Sequence, residues 1–381
     1  MTEVFITGVT GFLGRQVALR LLRRGDIRKL YCLVRASDTE AGEARLRKSL
    51  GRIATPAEVE LLCGRVVALP GDLTAPNLGL DESTLGKVRG GCRVFLHCAA
   101  DVRFNQSIDD ARSRNLVGTQ RVAQLALSAD RVDRFDWVGT AFVAGRRRDR
   151  VSESELEHQS GWKNSYEQSK YEAELWLRTE ASTLPLTVFR PSIIVGESNT
   201  GRTSSFGVLY WPVQIYARGW WRTVVGRADT PIDIVPVDYV ADAIAALTGV
   251  GQPTGVTYHL AAGPEGSLSV GEIAELLRTY FSGPPARYID AEFFMRWVRP
   301  LLHLFLWGKR GRVLKQGGRF FVPYFSGNPI FDISQTEAAL RPLGLEPPQV
   351  GDYMTTLLDF CVETDFGRKD VGEGGHVVQT S

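Results

Sequence analysis

The sequence predicts an α/β protein that has a doubly wound parallel sheet and a smaller C-terminal lobe. Over about the first 190 residues, short apolar runs alternate with stretches of helical spacing, a pattern that favours a parallel sheet with helices on both faces. A glycine-rich turn joins the first strand candidate to the first helix candidate. After Pro191 the alternation stops, and Gly, Pro, Trp and Tyr become frequent. This change predicts a lobe of a different kind.

The strand candidates are short and apolar. The first βαβ unit consists of a strand at 4–6, a glycine turn at 8–14, a helix at 17–22 and a strand at 30–34. Later strand candidates lie at 66–69, 93–96, 135–138, 186–189 and 257–260, and a further helix candidate lies at 238–247.

Composition excludes several classes of protein. The net charge is +2, and acidic and basic residues are mixed, which argues against nucleic-acid binding. The cysteines are odd in number and lack Cys-x-x-Cys spacing, so we expect reduced thiols and no metal site. They are Cys32, Cys63, Cys92, Cys98 and Cys361. Residues 3–6 lack the features of a signal peptide, so a cytoplasmic protein is expected.

The glycine turn has the spacing Gly8-x-x-Gly11-x-x-Gly14. Gly8 permits a tight turn, Gly11 allows close approach of a pyrophosphate, and Gly14 lets the helix pack on the strand. The phosphates then lie at the helix N-terminus, which favours anions. A plain glycine-rich turn is the alternative. The whole loop is assigned to the cofactor, including Thr10, Phe12 and Leu13.

The second strand ends in Arg35, where NAD enzymes usually have an acidic residue. A guanidinium attracts a 2′-phosphate, so NADPH is predicted over NADH, and Arg15 is a candidate second clamp. The alternative is that both arginines are solvated surface residues. We assign 1–195 and 230–262 to a Rossmann-type NADP-binding domain and 196–229 and 263–370 to a substrate lobe. Residues 371–381 are expected to form a flexible tail.

Tyr166 and Lys170 stand at i and i+4 of a predicted helix, so their side chains share one face. A phenol titrates near pH ~10, and a nearby cation lowers that pKa, so Tyr166 can donate a proton to a carbonyl oxygen as hydride arrives. Lys170 is also expected to hold the nicotinamide ribose. Thr140 follows a strand at its carboxyl end, where its hydroxyl can hold the substrate oxygen; a helix cap is the alternative.

The chain resembles the extended short-chain dehydrogenases/reductases, and within them the thioester-reductase and fatty acyl-CoA reductase branch with its male-sterility-type NAD-binding domain. The matching segments are 7–15, 33–35, 71–73, 97–104, 115–119, 166–170, 190–196 and 235–240. They cover about the first 240 residues in the family's order. Where the family usually has Ser-Thr, this chain has Gly139-Thr140, so the key hydroxyl is kept and its neighbour is lost.

The resemblance implies further roles and a reaction. Seven positions take roles from it: Asp72 and Leu73 near the adenine, Ala99 and Ala100 along the cofactor, Asn115 supporting the active-site helix, and Pro191 and Ser192 beside the nicotinamide. Hydride from NADPH would attack an acyl thioester of coenzyme A or a carrier protein, giving an aldehyde, or an alcohol after a second reduction. No covalent acyl-enzyme is needed, and Cys98, with no activating base evident, is interpreted as a packing residue.

Other functions use the same fold. A ketone, sterol or quinone-type carbonyl reductase would use the same residues, whereas Arg35 argues against nucleotide-sugar epimerases. A protein that binds NADPH without turnover is the second alternative, although Thr140, Tyr166 and Lys170 are all present.

Two segments raise the question of partners. The apolar and aromatic stretch at 293–307 is followed by cations up to Arg312. Three interpretations are open: this stretch forms a wall for an acyl chain, makes a peripheral membrane contact through 293–312, or packs in the core of the lobe. The basic run Arg146–Arg150 is a solvated loop or a contact for coenzyme A or an acyl carrier protein.

Overall fold

A computed structural model describes residues 1–219, 223–290, 293–298, 300–301, 322–371 and 377–378 of the chain. The strands are β1 (Thr2–Thr7), β2 (Ile27–Val34), β3 (Val66–Pro70), β4 (Val94–His97), β5 (Arg134–Val138), β6 (Arg150–Val151), β7 (Leu186–Pro191), β8 (Ile193–Val195), β9 (Thr223–Val225), β10 (Pro231–Ile232), β11 (Ile234–Pro236), β12 (Val256–Leu260), β13 (Leu268–Ser269), β14 (Arg287–Ile289), β15 (Ile330–Phe331), β16 (Asp370–Val371) and β17 (Val377–Val378).

The α-helices lie between these strands and in the C-terminal part of the chain. They are α1 (Phe12–Arg23), α2 (Thr39–Leu50), α3 (Pro56–Cys63), α4 (Glu82–Gly91), α5 (Ile108–Leu127), α6 (Ser165–Thr179), α7 (Tyr210–Ala217), α8 (Val237–Leu247), α9 (Gly263–Gly266), α10 (Val270–Tyr280), α11 (Ser334–Leu340) and α12 (Val350–Glu363).

The main sheet has seven parallel strands in the order β12-β7-β5-β4-β1-β2-β3. Chain order reverses between β1 and β4, and open α/β sheets bind ligands at such a point. Val4 and Ile6 pack on one face, while Phe5 packs on the other, as the two-residue period of a strand requires. The predicted fold class and strand candidates are confirmed.

Most helices of the nucleotide-binding half begin at a side-chain cap. Asp38, Asp81, Ser107 and Asn164 each accept a hydrogen bond from a backbone N–H of the first turn that they precede. The first helix, α1, begins at Gly11 without such a cap. Its free N–H groups therefore point to the end of the sheet where the chain order reverses.

The C-terminal lobe has its own hydrophobic core. Helices α7, α10 and α12 contribute apolar faces to it, and the parallel pair β9 and β14 lies beside them. The parallel pair β6 and β15 links the segment after Ser326 to the loop that follows β5. The lobe therefore lies next to the carboxyl end of the main sheet.

Several predictions concern residues that are only partly described. Much of the 293–312 stretch and most of the 371–381 tail lie outside the described residues. Within the stretch, Phe294 is buried, whereas Trp297 and Leu301 are more than half exposed. Among the described residues, no helix combines the length and the apolar character that crossing a membrane requires.

Candidate active site

A cleft of about 1600 Å³ runs along the carboxyl ends of the parallel strands, from the glycine turn to the lobe. Its nucleotide half is lined by the turn, by the ends of β2 and β3 and by the loop after β4. Its other half is lined by the segments after β5 and β7, by Tyr166, by Ser205, by residues 207–211 and by Tyr324. Residues distant in sequence therefore meet in one continuous space.

The glycine turn fits closely against the loop after β4. Gly8 has φ of +80°, and a Cβ there would lie 2.7 Å from the backbone nitrogen of Ala99. A Cβ on Gly14 would lie 2.1 Å from the Gly8 carbonyl oxygen. The N–H of Gly11 donates to that same oxygen at 2.9 Å. These contacts leave the uncapped start of α1 open to the cleft, an arrangement that suits a pyrophosphate.

Three arginines near this turn occupy different surroundings. Arg35 is exposed and lines the cleft, and Arg45 of α2 lines it beside Arg35 and donates to the Arg35 carbonyl oxygen at 2.9 Å. Arg15 is only 5% exposed, and it donates to Gly11 O at 3.1 Å and to Ser204 Oγ at 2.9 Å. Arg15 therefore ties the turn to the lobe, and Arg45 is a cleft cation that the strand-end motif did not reveal.

The two positions predicted to lie near the adenine, Asp72 and Leu73, are held by local hydrogen bonds. The Asp72 carboxylate accepts from the N–H and the hydroxyl of Thr74 at 2.7 and 2.6 Å. These bonds lower the pKa of Asp72, so the carboxylate stays charged. The carbonyl oxygen of Leu73 accepts from Arg121 at 3.0 Å.

A buried hydrogen-bond chain supports the floor of the cleft. Thr7 accepts from the Ala99 N–H at 3.2 Å and hydrogen-bonds Nδ1 of His97 at 2.7 Å. Nε2 of His97 lies 3.1 Å from the Thr119 hydroxyl, which donates to the Asn115 carbonyl oxygen. This pattern fits a proton on Nε2. Burial lowers the pKa of His97 to about 3, so the ring is neutral.

Asn115 joins the loop after β4 to α6, the helix that is predicted to carry the catalytic residues. Its amide nitrogen donates to the Asp101 carbonyl oxygen at 3.0 Å and to Ser169 Oγ at 2.9 Å, and its amide oxygen accepts from the Asp101 N–H at 2.8 Å. Asn115 is 1% exposed. The bond to Ser169 is buried and the two bonds to Asp101 are partly buried, so the loop after β4 and helix α6 are fixed to each other.

Thr140 and Tyr166 face each other at the middle of the cleft, and both line it. The Thr140 hydroxyl accepts from the N–H of Phe142 at 3.2 Å and so begins a short 3₁₀ turn. Burial raises the pKa of Tyr166, and an interaction with Thr140 offsets part of that rise. The expected lowering of the phenol pKa is therefore wrong in direction, because desolvation outweighs the neighbouring groups.

Lys170 follows Tyr166 by one turn of α6 and is buried inside the protein. Its ammonium donates to the Val138 carbonyl oxygen at 2.8 Å and lies 4.0 Å from the centre of the Trp137 ring. Burial lowers the pKa of Lys170 to about 7. The same tryptophan explains the missing serine of the family motif: a Cβ on Gly139 would lie 2.6 Å from the Trp137 ring.

A polar cluster behind Tyr166 had no signal in the sequence. The Tyr324 hydroxyl donates to the Glu167 carboxylate at 2.6 Å and accepts from Asn164 at 2.8 Å. Lys163 donates through its backbone to Glu167 and through its ammonium to Asn328, both at 2.8 Å. The ring of Tyr324 stacks on Phe104 at 5.6 Å. The start of the catalytic helix is thus anchored to residues 322–328 of the lobe.

The remaining predicted positions are also in or next to the cleft. Ala99, Ala100, Pro191 and Ser192 line it, as do Thr10, Phe12 and Leu13. Cys98 lines it too, and burial raises the pKa of its thiol to about 12. All five cysteines lie in the described part of the chain and are unpaired. Among the described residues, no cluster of His, Cys, Asp and Glu could hold a metal ion.

The basic run after β5 is largely paired within the chain. Arg147 contacts Asp149 at 2.7 Å and Glu155 at 2.5 Å, and Arg150 contacts Asp332 at 2.5 Å. Intramolecular carboxylates therefore neutralise two of its four arginines.

The fold and the site define an NAD(P)-binding oxidoreductase of the extended short-chain dehydrogenase/reductase type. The chain belongs to the NAD-binding family described as Male sterility protein, whose sequence model matches residues 6–244. The predicted branch is thereby confirmed. The family assignment supports a nicotinamide dinucleotide, NAD or NADP, as the cofactor.

The relatives include fatty acyl-CoA reductases and nonribosomal peptide synthetases. The Fatty acyl-CoA reductase wat of Drosophila melanogaster is 27% identical over 64% of this chain and 53% of its own length. The Nonribosomal peptide synthetase asaC of Aspergillus flavus is 30% identical over 68% of this chain and 26% of its own length. This chain thus spans about half or less of these two relatives. The solved terminal R domain from the myxalamid PKS-NRPS biosynthetic pathway is 28% identical, with a TM-score of 0.83 over 96% of this chain and 92% of that one.

Proposed function

We propose that this chain reduces an acyl thioester to an aldehyde, or further to an alcohol, with NADPH. The observation that carries the proposal is the junction at Thr140 and Tyr166, where the cleft passes from the glycine turn to an apolar wall. That wall includes Ile193, Val208 and Leu209. A hydrocarbon chain gains free energy against such a surface, whereas the hydroxyls of a sugar would lose hydrogen bonds there.

NADPH is proposed over NADH because two guanidinium groups line the cleft at the end of β2. Arg35 and Arg45 lie side by side there, and a guanidinium pairs well with a phosphate. Asp72 stands nearby with a lowered pKa, but its carboxylate is already held by Thr74. The two arginines are thus the groups available to bind a 2′-phosphate.

The residues of the junction can supply a proton and stabilise an oxyanion. The dinucleotide, when bound, supplies the hydride to the carbonyl carbon. Because its pKa is raised, Tyr166 is protonated at neutral pH and can transfer its proton to the carbonyl oxygen as negative charge develops there. The Thr140 hydroxyl can donate a second hydrogen bond to the same oxygen.

Collapse of the tetrahedral adduct completes the proposed reaction. The ionised phenol takes the hydroxyl proton back, the carbon–sulfur bond breaks to give the aldehyde, and the leaving thiolate takes a proton from water. The overall change consumes one hydride and one proton for each thioester. Cys98 is not needed as a nucleophile, and its raised pKa keeps it a thiol.

Consumption of NADPH against a panel of substrates tests the proposal. The panel contains acyl-CoAs, matching acyl pantetheine and carrier-protein thioesters, aldehydes and cyclic ketones, and products are identified by mass spectrometry. We expect thioester reduction with release of free thiol. The ratio of rates for the CoA and carrier substrates identifies the carrier. Turnover of ketones alone would contradict the proposal.

A pair of tyrosine variants separates chemistry from packing. Tyr166→Phe is expected to lower kcat by about 100-fold or more, since it removes the general acid. Tyr171→Phe is the matched control, because Tyr171 lies on the same helix in an aromatic cluster with His158 and Trp162. Its rate should stay near that of the unmodified protein. Full turnover by Tyr166→Phe would show that another group supplies the proton.

A further inference from the structure

A second cavity, of about 110 Å³, lies in the lobe next to the active-site cleft. The two spaces share Leu209 and Trp211 as lining residues. The walls of the second cavity come from α7, β9 and α10 and from a few residues outside them. The two cavities are thus adjacent, and the second lies among the core side chains of the lobe. We call the second cavity the tail pocket.

The lining of the tail pocket is almost wholly hydrocarbon. Its members are aliphatic and aromatic side chains, together with Thr223. The hydroxyl of Tyr216, one of the lining residues, donates to the Pro284 carbonyl oxygen at 3.1 Å and so has its partner outside the pocket. An apolar cavity of this kind stays dry and receives apolar ligands.

The walls are part of the buried core of the lobe. Val213, Val270 and Leu277 are each 5% exposed or less, and all three belong to one packed cluster. A void among buried side chains lowers the stability of a protein. A cavity that is kept at this position, next to the cleft, therefore indicates a ligand group that fills it.

We infer that the tail pocket receives the far end of the acyl chain, while the thioester carbonyl lies at Thr140 and Tyr166. This inference rests on the proposed function, since it names the hydrocarbon portion of that substrate. Two observations support it: Val208 lines the cleft together with Thr140 and Tyr166, and the adjoining residue Leu209 lines both spaces, as does Trp211. A saturated chain that follows these residues can bury its methylenes throughout.

Helix α10 provides the residue that limits the depth of the tail pocket. Ile273, Ala274 and Leu277 all line it, and Leu277 is a surface neighbour of both others because it follows them by four and three residues. Ala274 has the smallest side chain of the three and is 6% exposed. A larger side chain at 274 fills space that the substrate would otherwise use, and a smaller one at 277 adds space.

Chain-length profiles of two opposite variants test the inference. The measurement is kcat/KM for a series of saturated acyl thioesters from two to sixteen carbons. Ala274→Leu is expected to leave the shortest substrates unchanged and to lower kcat/KM for long ones by about fourfold for each methylene displaced. Leu277→Ala is expected to move the optimum towards longer chains. Ala245→Leu is the control, since Ala245 is equally buried but packs in the other core, on α8.

Equal loss at every chain length, or an unchanged profile, would overturn the inference. Calorimetric binding of dodecanol provides a readout that needs no turnover. The unmodified protein and Ala245→Leu should bind it, and Ala274→Leu should bind it at least tenfold more weakly. Equal binding by all three would also overturn the inference. If no thioester is reduced but Ala274→Leu still weakens binding, the proposed function fails and the pocket assignment stands.

Discussion

The two halves of the cleft are built by different means. The nucleotide half depends on backbone: Gly8 and Gly14 make contacts that no side chain would permit, and the ends of β1 and β4 hold the loop beside them. The substrate half depends on side chains from distant segments, such as Leu209, which directly precedes α7, and Tyr324 of the lobe. The first half fixes one ligand, and the second can change its ligand by substitution of a few side chains.

Their polar content differs as well. Below the nucleotide half, Thr7, His97 and Asn115 form a buried network with paired donors and acceptors. The tail pocket has no comparable network among its described lining residues. Hydrogen bonds fix distances and angles, whereas apolar contacts are not directional. The positions of side chains are therefore fixed most closely where hydride and proton are transferred. They are less restricted where a chain of methylenes binds.

The comparison predicts the largest effect for a change in the glycine turn. Gly14→Ala is expected to weaken binding of the dinucleotide by about 100-fold or more, since its Cβ would lie 2.1 Å from the Gly8 carbonyl oxygen and misplacement of several N–H donors costs a few kcal/mol. Calorimetric titration with NADPH measures it. Gly86→Ala is the control, because a Cβ on Gly86 of α4 meets nothing within 4 Å.

For that control we expect unchanged binding and a slightly higher Tm, since alanine favours helix over glycine. Unchanged NADPH affinity in Gly14→Ala would show that the turn is not the phosphate site. A loss of folding would appear in the far-ultraviolet circular dichroism spectrum and would be distinguished from a loss of binding alone.

A smaller effect is expected at the cations of the nucleotide half. Arg35→Ala should weaken binding of NADPH by about 10- to 100-fold, since a charge-assisted hydrogen bond contributes about 1.5 to 3 kcal/mol. Binding of NADH should be almost unchanged. Arg45→Ala should act in the same direction. Arg47→Ala is the control, because Arg47 lies on the same helix but pairs with Glu60 at 2.6 Å. Equal losses for both cofactors would contradict the assignment of a 2′-phosphate site.

Sequence patterns could predict the nucleotide half because its determinants are local. The strand, the turn of Gly8 to Gly14 and the helix are consecutive, and Tyr166 and Lys170 are four residues apart on one helix. Spacing alone therefore brings their side chains to one place.

The rest of the site depends on tertiary contacts. Glu167 and Tyr324 are 157 residues apart, and only the packing of the lobe brings the carboxylate and the phenol together. Arg45 reaches the cleft because α2 packs beside β3. The direction of the pKa shift of Tyr166 was predicted wrongly for a similar reason: the spacing to Lys170 is visible in the sequence, but the extent of burial is not.

The pH dependence of kcat/KM tests whether catalysis requires the positive charge on Lys170. Because its pKa is lowered to about 7 by burial, the ammonium is present below that pH and lost above it. If the charge is required, kcat/KM should fall as pH rises through 7, by about tenfold per unit at higher pH, since kcat/KM reports groups of the free enzyme. Lys170→Arg keeps a cation, so the fall should disappear, at a lower rate.

A profile that stays flat from pH 6 to pH 9 would contradict this role. Among the other groups of the site, Lys163 also titrates in that range, because burial lowers its pKa to about 8, whereas His97 and Tyr166 do not. His97 has a pKa of about 3 and is neutral throughout. The pKa of Tyr166 is raised, so the phenol keeps its proton.

The smallest effect is expected at Cys98, which lies in the nucleotide half close to Lys170. Its thiol lines the cleft, as a nucleophile would, but burial raises its pKa to about 12 and Lys170 offsets little of that rise. Only the thiolate is a good nucleophile, so Cys98→Ser should change kcat by about twofold or less, and no acyl adduct should be found on the protein by mass spectrometry. A serine hydroxyl can occupy the same volume, so folding should be kept. Loss of activity in a folded Cys98→Ser protein, or a mass increase on Cys98 during turnover, would mean a covalent route. The nucleotide half would then supply a nucleophile as well as bind the dinucleotide, and the division between the two halves would no longer describe where the chemistry occurs.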